Sequence, residues 1–302
     1  MKHRSGTLEL NRRRLLGALA APAAAVAQPA APELPAVTIG KFKVTRLVAG
    51  YNPVGGYSHA VPKLDTVMKD WFTPQRTLDY ALSCERNGIN TWQISVDQKV
   101  FGALRAAHDR GSKLQHICLM RDEEPETWKE IAALKPIAVV HHGGVTDRFF
   151  YRGEQQKVRD FLKKAHDFGL TAGVSSHVPE HIARVEELGW EQDLYMTCLY
   201  NVVREPAKLK EGLGDVPVDE LFLSQDPDRM LKVVRQVRRP CLAFKVFAAG
   251  RLCRNEASME RAVRFAYERL KPGDGLIVGM FPIVSDEVAA NASLVRRILT
   301  QS

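Results

Sequence analysis

The chain has 302 residues, 45% of them hydrophobic and 26% charged, with a formal net charge of +8. That length fits two small domains or one large α/β barrel, and nothing in the composition marks a low-complexity tract, a heptad run or a short repeat. Acidic and basic residues alternate even in the lysine-containing stretch "AKLKEGLGD" (207–215), so the clustered basic footprint of a nucleic-acid binder is missing.

The first 27 residues read as an export signal. "NRRRLLGALAAPAAAVAQ" (11–28) places Arg12-Arg13 before an apolar stretch from Leu15 to Ala27, which ends at a small-residue cleavage site, Ala25-Val26-Ala27. The arginine pair resembles a twin-arginine signal. That predicts the twin-arginine machinery as a partner and a periplasmic or otherwise exported destination. An ordinary secretory signal or an uncleaved anchor is the alternative. The stretch is short of the ~20 residues a membrane span needs, so no stable membrane insertion is expected after cleavage. Lys2, Arg4, Arg12, Arg13 and Arg14 stand against Glu9 here, so cleavage lowers the net charge from +8 to +4. A Pro/Ala-rich linker over 28–36 leads into a single domain over 37–302.

"VTIGKFKVTR" (37–46) alternates around Gly40-Lys41 and predicts a hairpin. Eight short apolar runs follow: "VTRLVAG", "INTWQIS", "QHICLM", "IAVVHH", "TAGVSSH", "LYMTCLY", "CLAFKVFAAG" and "GLIVGM". Between them lie segments of helical spacing. "EQQKVRDFLKKAHDFG" sets Val158, Phe161, Leu162 and Ala165 on one stripe, with Gly169 as a stop. "PEHIARVEELG" opens with proline and closes with glycine, and "DPDRMLKVVRQVRRP" runs from acidic to basic, which suits the helix dipole. Eight strand-then-helix units predict an α/β fold, a (β/α)8 TIM barrel with an N-terminal hairpin. A doubly wound sheet is the runner-up, but "GYNPVGGYSH" lacks the GxGxxG order that such a sheet carries after its first strand. Two connections, Pro53 to Thr73 and Val202 to Ser224, are long enough to serve as lids or binding loops. The five cysteines show no CxxC pair and no metal-like spacing, and Cys118, Cys198 and Cys241 sit within or beside apolar runs; no disulfide framework is expected.

In order and spacing, nearly the whole domain resembles the aldo-keto reductases. "TIGKFKVTRLVAG" is similar to their opening hairpin and first strand, "NGINTWQIS" to the second, "AVVHHGG" to the fourth and "GVSSHVPEHI" to the fifth. "YMTCLYN", "AFKVFAAGRL" and "IVGMFPIVSDEVAAN" are similar to the sixth, seventh and eighth. The chain is also similar to a group of exported bacterial barrels without a defined activity. The first resemblance implies an Asp, Tyr, Lys, His tetrad in which tyrosine protonates a carbonyl while nicotinamide gives hydride. Here the corresponding positions are Gln93, Gln98, Arg121 and His141, so the general acid is absent. Two nicotinamide-holding positions are Ser176 and Thr197.

In such barrels the site lies at the C-terminal ends of the strands. His141 and His142 end the fourth run and His177 the fifth. By family position His141 faces inward and His142 the edge. His141, His177 and Tyr200 are the expected catalytic residues, and Asn52, Gln93, Arg121, His142, Asn201 and Lys245 the expected substrate contacts. A divalent metal would draw on His141, His142 and His177; NAD(P) is less favoured than a metal. His59 in the first long loop is within reach of a pocket, and His181 is expected to face solvent. Lys245 reads either as a core lysine or as a Schiff-base former. The glycines of "FAAGRL" and "GLIVGM" suit either a phosphate site or tight packing. Three functions compete: an exported barrel enzyme acting on a small oxygenated, sugar-like or carbonyl, substrate by acid/base or metal-assisted chemistry; an NAD(P)-linked oxidoreductase; and a non-catalytic small-molecule binder.

Overall fold

The computed structural model describes residues 33–121 and 124–300; the expected signal, the linker to residue 32, and Asp122 and Glu123 lie outside them. Strands β1 (Ala36–Ile39) and β2 (Phe42–Thr45) pair antiparallel with Ile39 opposite Phe42, so Gly40-Lys41 is the two-residue turn. Gly40 takes a φ of +56°, a conformation hairpin turns of this length demand. The expected linker is shorter at its end than the composition implies, because Leu34 is packed in the core and Ala36 opens β1.

Each of the eight apolar runs supplies one parallel strand. These are β3 (Leu47–Gly50), β4 (Thr91–Ser95), β5 (Gln115–Met120), β6 (Ala138–His141), β7 (Ala172–Ser176), β8 (Leu194–Cys198), β9 (Cys241–Phe244) and β10 (Gly275–Gly279). They close in sequence order, with β10 paired to β3. The fold is a (β/α)8 barrel.

The runs are apolar throughout because both faces of each strand are covered. Alternation sends Val48, Ile117, Val140, Met196, Leu242 and Ile277 into the barrel, where they meet Val37, Ile39 and Val44 of the hairpin. The hairpin therefore plugs the N-terminal end. Asn90, just ahead of β4, and Gln115 at the start of β5 both donate to Lys43 O and fix it there. The opposite strand faces, with Trp92, Cys118, Val139, Val174 and Tyr195, pack against the helices. Helix Gln156–Asp167 buries the stripe Val158, Phe161, Leu162 and Ala165, and each large apolar side chain so covered contributes roughly 1.5–3 kcal/mol. Gly169 follows it at φ +70°.

At the closing seam Gly50 lies opposite Gly279. A Cβ on Gly50 would come within 2.8 Å of Gly279 N, and one on Gly279 within 2.9 Å of Pro53 Cδ. Only glycine lets β3, β10 and the first long loop approach this closely. That loop holds helices Asn52–Gly55 and Pro62–Trp71; the second holds helix Pro206–Leu213.

Candidate active site at the barrel mouth

A cavity of about 300 Å³ opens at the C-terminal ends of β3, β4, β9 and β10. Its walls are mainly apolar, including Leu119, Met196, Phe244, Ile277 and Phe281, with Asn52, His59, Gln93 and Lys245 as polar points. The first long loop lines it, and the second is joined to that loop through Glu220. Asn52 Nδ2 donates to His59 Nε2 at 3.0 Å, which leaves the proton on Nδ1, and Nδ1 donates to Glu220 Oε1 at 2.8 Å. Burial raises the Glu220 carboxyl, but the His59 hydrogen bond and the charges of His59, Lys245 and His177 outweigh it and hold the pKa below the ordinary value. Glu220 Oε2 is buried without a hydrogen-bond partner among the described residues. So is Lys245 Nζ, and burial pulls the Lys245 pKa down against the opposing pull of Cys198 and Glu220.

The backbone here is strained. Five non-glycine residues among those described have positive φ, and four of them, His59, Lys245, Ala248 and Ala249, lie at this mouth. Such conformations cost on the order of 1–3 kcal/mol each and persist only where surrounding contacts enforce them. Arg251 supplies those contacts. Its Nη1 donates to His59 O at 3.0 Å and Ala248 O at 3.3 Å, while its guanidinium lies 4.1 Å from the Phe222 ring centroid.

A second cluster adjoins β6 and β7. Asp147, on helix Gly143–Tyr151, is buried and accepts from Ser176 Oγ, His177 N (3.0 Å), His177 Nδ1 (2.8 Å) and His181 Nδ1 (2.9 Å). Burial works against its charge, but the hydrogen bonds from His177 and His181 prevail and lower the pKa to about 2. The same bonds fix His177 with Nδ1 protonated and leave Nε2 as the acceptor nitrogen. Gly143 makes room for that ring, since a Cβ there would stand 3.1 Å from His177 Cε1. His177 also packs edge-on against Phe244, a cavity residue, at 5.7 Å. His177 itself does not line the main cavity but a smaller one of about 50 Å³, with Asn201 and Arg204.

The structure corrects several expected roles. His141 points outward, between strand and helix. It is fully buried, its Nδ1 lies 2.6 Å from Thr146 Oγ1, and it packs against Phe149 and Phe161. Burial, with a smaller contribution from His142, lowers its pKa to about 3. His142, not His141, shares the parity of the inward Ala138 and Val140, but it lines neither cavity. Burial and the charges of Arg121 and His177 lower its pKa to about 4. The metal set His141, His142 and His177 is therefore not assembled, and among the described residues no three His, Cys, Asp or Glu side chains are arranged to hold an ion. Tyr200 does not line the main cavity but packs on Phe222 at 5.2 Å. Asn201 lines the small cavity, and its backbone N–H donates to Asp226. Arg121 is exposed, close enough to Tyr51 and His142 to affect both. His181 is buried on Asp147 instead of facing solvent. Asn52, Gln93 and Lys245 line the cavity, Gln93 donating to Ile94 O at 2.7 Å.

The positions equated with the reductase tetrad do not rebuild it. Gln98 sits on the outer surface, donating to Glu130, and Ser176 is spent on Asp147. Tyr51 does line the cavity, but its OH donates to Asp97 Oδ2 at 2.8 Å, and burial together with that carboxylate raises its pKa far above the ordinary range. A phenol so held is a poor proton donor.

No protein-family model matches the chain, and no curated protein does. Solved structures with a similar fold include Gox0644 in its apo form, 12% identical with a TM-score of 0.50 over 88% of this chain and 94% of that one. The glycerol dehydrogenase AKR11B4 from Gluconobacter oxydans is 12% identical with a TM-score of 0.51, over 87% and 89%. Dihydropteroate synthase from Xanthomonas albilineans is likewise 12% identical at 0.51, over 88% and 98%. Barrels of quite different chemistry thus resemble this chain equally, and the likeness speaks for the architecture alone.

Proposed function

We infer that the chain is an exported barrel enzyme, aldo-keto reductase-like in fold, that acts on a small hydroxylated carbonyl compound by acid–base chemistry. One observation carries this reading: His59 and Lys245 line one cavity at the barrel mouth, and His59 Nδ1 is bound to Glu220 Oε1 at 2.8 Å. The His59–Glu220 pair, which reaches the cavity through His59, removes a proton from the carbon beside the substrate carbonyl, and Lys245 in the same wall draws electrons from that carbonyl. General acid–base groups so placed contribute typically about 10²–10⁴-fold. An apolar cavity strengthens each charge interaction by excluding water. Export by the twin-arginine route belongs to the same reading and rests on Arg12 and Arg13 before Leu15–Ala27.

The test needs no known product. The protein is incubated in D2O with a panel of small hydroxyketones, hydroxyaldehydes and sugar acids, and deuterium uptake beside the carbonyl is followed by NMR. Uptake is expected for at least one compound and is lost in His59→Gln. Turnover of the same panel with NADPH, without exchange, would replace this reading with the oxidoreductase one.

A further inference from the structure

Lys245 Nζ is buried without a hydrogen-bond partner among the described residues, and an acid–base role alone leaves that cost unexplained. A buried ammonium ordinarily ion-pairs or is hydrogen-bonded. Here Glu220, the carboxylate whose charge acts on Lys245, spends Oε1 on His59, and its Oε2 is itself buried without a hydrogen-bond partner among the described residues. The Lys245 backbone is held at φ +61°, immediately after the inward-facing Phe244 of β9. The side chain lines a mainly apolar cavity whose volume suits a small molecule. A desolvated lysine in such a wall is the usual form of a nucleophilic amine.

We propose that Lys245 is a covalent capture site for an aldehyde or ketone, formed as an imine in the main cavity. This deepens the acid–base reading above and rests on it for the substrate class. The Nζ ammonium first gives a proton to the Glu220–His59 pair. The free amine adds to the carbonyl carbon, forming the C–N bond and breaking the C=O π bond, and one of its N–H protons passes to the oxygen to give a neutral carbinolamine. Its hydroxyl leaves as water with a proton returned by the same pair, so one carbonyl and one ammonium become one protonated imine and one water. No oxidant, reductant or further reactant is needed. The protonated imine then withdraws electrons from the neighbouring C–H bond, whose proton passes to the Glu220–His59 pair.

The experiment uses the mature protein with hydroxyacetone, a small hydroxyketone, and borohydride to reduce any imine to a stable amine. Peptide mapping by mass spectrometry then locates the adduct. Labelling of the Lys245 peptide is expected to saturate with ketone concentration, whereas surface lysines label weakly and in proportion to it. The adduct is lost in Lys245→Arg and in Lys245→Met, and the wild-type map decides the matter even if neither variant folds. A Lys245 peptide left unlabelled, or labelled no more than surface lysines, overturns the proposal. Deuterium exchange without an adduct overturns only the imine; an adduct without exchange keeps the capture site and overturns the acid–base reading.

Discussion

Replacing Asp147 by Asn tests whether a single carboxylate organises the β6–β7 side of the mouth. Its pKa is held at about 2 against an ordinary 3.8. At ~1.36 kcal/mol for each tenfold change in proton affinity, that depression corresponds to about 2 kcal/mol of folding stability at neutral pH. The folded-state pKa is the lower one, so the contribution is fully present above the unfolded value of 3.8 and is lost as pH falls towards 2. Asn keeps one acceptor oxygen but turns an N–H₂ toward a histidine donor, which adds a cost of roughly 1–3 kcal/mol. Urea unfolding of both proteins from pH 7 to pH 3, followed by circular dichroism, measures the difference. Carboxylates elsewhere cancel in the comparison. The gap is expected to shrink by about 1 kcal/mol between pH 6 and pH 3. A gap that stays constant over that range would refute the claim that the native state depends on the Asp147 charge.

His141→Ala removes a ring packed on Phe149 and Phe161. It should destabilise by roughly 2–4 kcal/mol through the cavity left behind, while the folded fraction keeps its deuterium exchange; a stable but inactive variant would return His141 to the site. Gly50→Ala places a methyl 2.8 Å from the Gly279 backbone nitrogen and should lower stability by roughly 1–3 kcal/mol, read as a reduced urea midpoint. Replacing Arg12 and Arg13 by Lys should hold the protein in the cytoplasm, seen by cell fractionation; unchanged export would point to the general secretory route. With Gln93 and Gln98 at two tetrad positions and Tyr51 bound to Asp97, NADPH should not reduce simple aldehydes, and a robust rate with identified product would contradict this.

The barrel was legible because its signal repeats. Eight apolar runs, each followed by a helical stripe such as Val158, Phe161, Leu162 and Ala165, leave few other closed arrangements. The same apolar continuity hid the direction of individual side chains. In "IAVVHH" both faces are buried, so no alternation tells His141 from His142, and family position put the wrong one inward. Asp147 lies five residues beyond that pair, where the sequence shows only an aspartate early in a helix. The clue was the spacing of His177 and His181, four apart across a helix start, which sets two imidazoles on one side. Glu220 stands in "GDVPVDELFL", whose acids read as solvated, and only the long-range contact with His59 brings it inside.

Arg251 joins the first long loop through His59 O, the β9 loop through Ala248 O and the second long loop through the Phe222 ring. Segments that share one fastener do not respond independently. Removing the Arg251 guanidinium and removing the Phe222 ring should therefore be non-additive, with an interaction energy in a double-mutant cycle of Arg251→Ala and Phe222→Ala. In energetic terms the three loops form one cooperative unit, so a change that loosens any of them is felt at Lys245, and the mouth is remodelled as a whole or not at all.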